Sequence, residues 1–141
     1  MLGRLVKLRF LPSSVDAQLL FLRIAFGASI FLKHGYRKVL NFSEMAQTFP
    51  DPIHIGPVPS LVFALIADAI CTLLIIAGLG TRLASGFIAV IIFVAWAFDH
   101  HFMFFGHTAD HGEICVLYIA AMIALFIGGP GRYSVDAWLK D

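Results

Sequence analysis

Charged residues are scarce in this chain. They make up 13% of its 141 residues, whereas a typical soluble domain carries roughly 25%. Hydrophobic residues make up 60%, and the mean hydropathy is +0.88. A globule of this size has too little interior to hide so much apolar surface from water. The lipid bilayer is therefore the expected solvent and the first expected partner.

Several functional signatures are missing as well. The sequence has no basic block and a net charge of +1, so nothing in it indicates nucleic acid as a partner. Its two cysteines, Cys71 and Cys115, are too few for a disulfide framework. It contains no phosphate-binding loop, dinucleotide fingerprint, HExxH motif or CxxC pair. The corresponding classes of enzyme are not indicated.

What the chain does have is four long apolar runs. They predict membrane-spanning helices at about residues 16–40, 60–80, 83–98 and 113–128, close to the ~20 residues that a bilayer requires. The runs are continuous and do not alternate, which argues against strands. The sequence thus predicts one all-α domain over residues 1–141. The expected architecture is an antiparallel four-helix membrane bundle with short interfacial helices at both termini.

The connections between the runs differ in character. Residues 41–60 contain four prolines, which should prevent a continuous helix before the second span. Residues 78–82 form a tight, glycine-containing turn. A serine, Ser13 or Ser14, is expected to cap the first span, with Asp16 in its first turn.

The distribution of Lys and Arg predicts an orientation. If both termini lie on one side, that side holds six cationic residues: Arg4, Lys7, Arg9, Arg82, Arg132 and Lys140. The opposite side then holds three: Lys33, Arg37 and Lys38. The positive-inside rule therefore favours cytoplasmic termini. All six histidines would consequently lie on the outer side.

Arg23 and Asp68 are the two charges that lie most clearly inside the membrane, away from the ends of the predicted spans. A charge within a bilayer costs at least ~2.5–3.5 kcal/mol, so each needs a partner or a wet cavity. A direct Arg23–Asp68 pair is one alternative. In the other, Arg23 reaches toward the inner headgroups while Asp68 forms the floor of a cavity that opens on the outer side. The sequence leaves both open.

The stretch from Asp99 to Glu113 holds four of the six histidines and lies between two spans. With His34, it should form a polar rim around the outer end. Imidazole and carboxylate groups could serve as polar rim residues, as a quinone or proton site, or as metal ligands. The candidates for a metal site are Asp99, His100 and His101. The aromatic run around Phe104 could line a site for a flat ring or simply dip into lipid.

Several of these segments resemble one known family. They are residues 22–27 (LRIAFG) and 34–39 (HGYRKV) in the first span, and residues 78–82 (GLGTR) after the acidic residue of the second. The others are residues 111–113 (HGE) and 129–137 (GPGRYSVDA). Over about residues 19–139 the chain resembles the DoxX family. One departure is Asp68, where such proteins commonly have Glu.

The resemblance implies a multi-pass protein of the bacterial inner membrane. The family takes its name from a small subunit of a terminal quinol oxidase, and relatives are linked to quinone-coupled oxidation and membrane redox complexes. The resemblance implies that Arg23, Asp68 and Glu113 occupy polar positions typical of the family. These three residues are the catalytic candidates. His34, His111 and Phe104 are the candidates for a quinone or proton site. Any cofactor is expected to be the quinone or to belong to a partner subunit.

The favoured interpretation is an accessory or quinone-interacting subunit of a membrane redox system, such as a subunit of a quinone-linked oxidoreductase. A small transporter or metal-handling protein that uses the His/acid rim is the first alternative. A non-catalytic membrane assembly protein is the second. The sequence leaves the substrate, the redox partner and the oligomeric state open, a homo-oligomer included.

Overall fold

A computed structural model of the chain describes residues 14–103 and 112–140. Within these two ranges all regular secondary structure is helical. Three helices are long and apolar enough to cross a membrane: α1 (Val15–Leu40), α3 (Pro57–Ala77) and α4 (Thr81–Asp99). The fourth apolar helix, α5 (Gly112–Gly128), is shorter. Two single-turn helices complete the described chain, α2 (Phe42–Met45) and α6 (Val135–Trp138).

The prediction of an all-α membrane protein is confirmed at this level. Ser14 caps α1 as expected, because its hydroxyl accepts a hydrogen bond from the Ala17 N–H at 3.2 Å. The interfacial helix predicted at the N-terminus lies outside the described residues. α3 begins at Pro57, three residues before the start predicted near residue 60. Pro57 and Pro59 both fall in its first turn, where a backbone N–H has no helical partner in any case.

One end of the molecule, called here the clasp end, is tied together by the segment that follows α5. The Asp136 backbone N–H donates to the Gly78 carbonyl at 3.0 Å, and the Asp136 carboxylate accepts from the Gly80 N–H at 2.9 Å. The Arg132 N–H donates to the Asp16 carboxylate at 2.8 Å. The last segment therefore joins the start of α1 to the turn between α3 and α4.

Gly78 and Gly80 give a matched pair of substitutions at this end. Both have positive φ, 77° and 57°. A Cβ on Gly78 would collide with the buried Arg23 guanidinium and lie 2.5 Å from Ser134 Cβ, whereas a Cβ on Gly80 would meet nothing within 4 Å. Gly78→Ala is expected to lower the free energy of unfolding by about 2 kcal/mol more than Gly80→Ala, because only the first adds overpacking to backbone strain. Thermal unfolding in detergent checks this, and equal losses would contradict the packing argument.

All three long helices contain a π-helical segment outside the clasp end. The segment lies in the middle of α3, and in α1 and α4 it lies in the half of the molecule away from the clasp end. These segments are Phe31–Gly35 in α1, Ile66–Cys71 in α3 and Ala95–Asp99 in α4. A π turn bonds each N–H to the carbonyl five residues back, and such turns are frequent at functional sites. The first two segments also contact each other closely, because Gly35 lies against the Asp68 backbone carbonyl. The π segments therefore direct attention to this half of the molecule.

Candidate functional site

A cavity of about 650 Å³ occupies the half of the molecule away from the clasp end. Its walls come from α1, α3, α4, the start of α5 and the loop between α2 and α3. Most of the lining side chains are apolar. The polar lining residues are Ser29, Lys33, His34, Lys38, Ser60, Asp68, Asp99, His100, Cys115 and Tyr118. A mostly apolar cavity of a few hundred Å³ with a few convergent polar groups is the usual form of a small-molecule site.

An ion pair is the main charged feature of this cavity. Lys38 Nζ lies 2.6 Å from Asp68 Oδ2, and the two side chains are only 11% and 12% exposed. Lys38 Nζ also lies 5.9 Å from the centre of the Phe49 ring, which adds a cation–π contact. The pair thus joins the end of α1 to the middle of α3 beneath the α2–α3 loop.

Local backbone structure places Asp68 at the cavity. It lies in the π segment of α3, where the Thr72 hydroxyl stands 2.7 Å from the Asp68 carbonyl oxygen and 2.9 Å from that of Ala69. This hydroxyl donates to carbonyls at the point where the regular helical pattern changes. On the opposite side Gly35 allows the α1 backbone to approach Asp68. The carboxylate is therefore held on a rigid part of the backbone.

The loop wall of the cavity is organised around Asp51. Its carboxylate accepts hydrogen bonds from the Ile55 N–H at 3.0 Å, the Gly56 N–H at 2.7 Å and the Ser60 hydroxyl at 2.8 Å. Desolvation raises the pKa of the Asp51 carboxyl, but these hydrogen bonds and the charge of His54 outweigh it and lower the pKa below its ordinary value. The ionised carboxylate is therefore the form that fastens the loop to the start of α3.

The lowered pKa gives Asp51→Asn a pH-dependent effect. Ionised Asp51 stabilises the fold at any pH above its unfolded pKa of about 4, and this contribution is lost as the pH falls through the lower pKa of the folded state. At neutral pH Asp51→Asn is expected to lower the melting temperature in detergent by a few degrees. Near pH 3 the difference from the unchanged protein should narrow. A difference that is constant with pH would contradict this role for the ionised carboxylate.

Two hydroxyl groups meet on the wall of the same cavity. Ser29 Oγ of α1 and Tyr118 Oη of α5 are 2.8 Å apart. The Tyr118 ring packs edge-to-face against Phe26, with ring centres 6.1 Å apart and planes at 84°. This pair is a second polar point on an otherwise apolar part of the wall, and sequence reasoning did not identify it.

The structure brings four of the candidate residues to this cavity: His34, Asp68, Asp99 and His100. Three of them lie within the π segments of α1, α3 and α4, and His100 directly follows α4. Lys38, which the sequence analysis named only as a cation on the outer side, joins them. The signal that could have found Lys38 is its place one turn after His34 on the same helix, together with the need of Asp68 for a cation.

The remaining candidates lie elsewhere. Glu113 and His101 are exposed and are not among the cavity-lining residues, and His101 adopts a positive φ of 47°. His111 and Phe104 lie outside the described residues. In residues 14–103 and 112–140 no three His, Cys, Asp or Glu side chains come close enough to hold a metal ion. Asp99, His100 and His101 are therefore not gathered into such a group.

Arg23 belongs to the clasp end. Its side chain is fully buried, and its Nη2 donates to the Tyr133 backbone carbonyl. Within the described part of the chain its Nε and Nη1 have no hydrogen-bond partner, and Asp136 supplies a nearby negative charge. Of the two alternatives left by the sequence, the direct Arg23–Asp68 pair is not formed. Arg23 holds the C-terminal segment instead.

The comparisons with known proteins point to one family. The DoxX family matches residues 18–101, which include Lys38, Asp68, Asp99 and His100. No curated protein and no solved structure matches the chain. The family match covers more than half of the 141 residues and includes three of the five segments that resemble the family, whereas residues 111–113 and 129–137 lie beyond it. The chain therefore belongs to the DoxX family.

Proposed function

We propose that this protein binds a quinone in the cavity and acts as an accessory, quinone-interacting subunit of a membrane redox system. The observation that carries the proposal is the Lys38–Asp68 ion pair, which stands in a mostly apolar cavity of about 650 Å³. Such a site suits a ligand that is apolar over most of its surface and polar at one point. A quinone, with an apolar tail and carbonyl oxygens on its ring, has this character.

The ion pair can recognise either redox form of the ligand. The Lys38 ammonium group carries three hydrogens and Asp68 Oδ2 receives one of them, so others are available to a quinone carbonyl. The Asp68 carboxylate has lone pairs that can accept a hydrogen bond from a quinol hydroxyl. His34, Asp99 and His100 line the same cavity and supply groups through which a proton can move.

The apolar tail of the ligand can reach the lipid between α3 and α4. Phe63 of α3 and Val90 of α4 line the cavity, and both are also about half exposed on the surface. An apolar side chain exposed on a membrane-spanning helix faces lipid. A ligand dissolved in the bilayer therefore has a direct lateral route to the ion pair.

The arrangement proposed for the chain is an antiparallel four-helix bundle in the bacterial inner membrane with cytoplasmic termini. The contacts at the clasp end support it, because they join the start of α1, the α3–α4 turn and the segment after α5. The excess of Lys and Arg that the sequence predicts for the side of the termini supports the orientation. The cavity then opens toward the outer half of the bilayer.

Electron transfer in this proposal belongs to a partner subunit. Ordinary side chains such as Lys38 and Asp68 bind, orient and exchange protons, whereas redox cycles require a cofactor. The quinone would supply that chemistry when it is bound. The part played by this chain is to hold the ring and to offer the proton-bearing groups around it.

Quinone content is the test. The protein is purified from membranes in mild detergent, the lipids are extracted, and quinone per protein is measured by chromatography. We expect close to one quinone in the unchanged protein and at least a tenfold loss in Lys38→Gln or Asp68→Asn. The matched controls are Arg37→Gln and Glu44→Gln, which replace exposed charges beyond the cavity. Quinone at the level of an unrelated membrane protein would overturn the proposal.

A metal analysis of the same samples separates the alternatives. Stoichiometric zinc or copper that is lost in His100→Ala, without quinone, would favour a metal-handling protein. Neither quinone nor metal would favour an assembly protein.

A further inference from the structure

We propose that the Ser29–Tyr118 hydroxyl pair is a second anchor in the cavity, which donates a hydrogen bond to the far oxygen of a ring that carries oxygens at opposite positions. The inference rests on the proposed function, since it names the feature that would select a para-quinone over other apolar ligands. Lys38 would hold one oxygen of the ring and the hydroxyl pair the other.

A count of hydrogens is the first argument. Each hydroxyl has one hydrogen to donate, and the two oxygens stand 2.8 Å apart, so one hydrogen lies in the bond between them. The second hydrogen has no acceptor among the residues that the structure describes. Both side chains line the cavity. The wall therefore presents a hydroxyl hydrogen to whatever occupies the cavity, and a carbonyl oxygen is the simplest group to accept it.

The placement of the two anchors is the second argument. Ser29 and Lys38 lie nine residues apart on α1, at most about 13.5 Å along its axis. Helical side chains lean toward the N-terminus, and the long Lys38 side chain reaches back further than that of Ser29, which shortens this separation. The separation is therefore of the same order as the length of one ring with an oxygen and a hydrogen bond at each end. Both residues line the cavity because the π segment between them changes their relative direction.

The geometry of the hydroxyl pair is fixed in advance. Tyr118 is held by its edge-to-face contact with Phe26, and Ser29 is fixed to the backbone of α1. A donor that is already oriented loses little freedom when the ligand binds, which is how a single neutral hydrogen bond contributes to selection between ligands. The pair acts here as a positioning group for the ring and not as a source of electrons or protons.

The experiment compares two probes with purified protein freed of bound lipid. One probe is a methyl-substituted naphthoquinone, and the other is the matching tetralone, which keeps a single ring carbonyl. Affinities are measured by tryptophan quenching for the unchanged protein, Tyr118→Phe, Ser29→Ala and the double variant. Tyr36→Phe is the matched control, because Tyr36 is exposed and is not a cavity-lining residue.

We expect each single variant to change quinone affinity less than twofold, because the hydroxyl that remains can turn to the ligand. The double variant should lose about threefold to tenfold in quinone affinity, the usual effect of one neutral hydrogen bond. Tetralone affinity should change less than twofold in every variant, since its one carbonyl binds at Lys38. The preference for the two-oxygen probe should therefore disappear only in the double variant.

Other results would overturn the anchor. Equal losses for both probes would show that the pair only supports the structure, and an unchanged quinone affinity in the double variant would show that it does not touch the ligand. In both cases the proposed function would stand. If the unchanged protein bound neither probe, the proposed function itself would fail. Should the double variant not fold, Ser29→Cys with Tyr118→Phe removes both hydroxyls and keeps nearly the same volume.

Discussion

Lys38→Met is expected to lower the free energy of unfolding in detergent by about 3 kcal/mol, the lower end of the cost of removing one partner from a buried ion pair. The lower end applies because the pair is partly buried, with side chains that are 11% and 12% exposed and with Nζ and Oδ2 at 2.6 Å. Without Lys38, the Asp68 carboxylate would stand uncompensated in a mostly apolar cavity. Denaturant unfolding followed by circular dichroism measures the loss.

Restoring the balance of charge should separate stability from function. The double variant Lys38→Met/Asp68→Leu removes both charges, and such replacements are often neutral or stabilising. We expect it to recover most of the stability but none of the quinone. Arg37→Met is the control, because Arg37 is an exposed neighbour outside the cavity. If Lys38→Met cost no more than this control, the ion pair would contribute little to the fold.

Gly35→Ala is the second substitution with a large expected effect. A Cβ at this position would collide with the Asp68 carbonyl oxygen and stand 2.8 Å from the carbonyl carbon. Those atoms are backbone, so the overlap can be relieved only if α1 and α3 move apart. We expect a loss of about 3 kcal/mol in the free energy of unfolding and a marked loss of bound quinone, since Asp68 would move with its backbone. Unfolding and quinone content measured on the same sample test both parts.

Gly86→Ala provides the matched control. Gly86 is also inside a helix, but a Cβ there would meet only the side chain of Phe126, at 3.2 Å. That ring is half exposed and can turn aside, while the alanine gains about 1 kcal/mol in helix propensity. We expect little net change. If Gly35→Ala behaved like Gly86→Ala, the close approach of the α1 and α3 backbones would be refuted.

The elements of the fold were largely predictable, because they follow from local patterns. Long uninterrupted apolar runs indicated the helices, and Ser14 was a recognisable cap. The start of α3 was predicted three residues late because prolines were expected to interrupt a helix, although Pro57 and Pro59 lie in a first turn that tolerates them. This difference arises from the position of the prolines in the helix and not from a distant contact.

The site was only partly predictable, because it depends on how helices turn and on contacts far along the chain. On a uniform helix of 3.6 residues per turn, nine residues would place Lys38 on the opposite side from Ser29. The π segment at Phe31–Gly35 changes that phase, and no local pattern in the sequence indicates it. The hydrogen-bond partner of Arg23 was equally unpredictable, since the Tyr133 carbonyl that accepts from it is 110 residues away.

The π segments have a consequence for insertions and deletions. A π turn accommodates an additional residue within an α-helix, so a one-residue deletion in Phe31–Gly35 could heal into a regular helix. The part of α1 beyond the deletion would then rotate by about a quarter turn, since one residue is 1/3.6 of a turn. Lys38 would swing away from Asp68 although no cavity residue had been substituted. The length of these three short segments therefore matters more than the identity of many side chains nearby. Deleting a single residue there would change which side chains line the cavity.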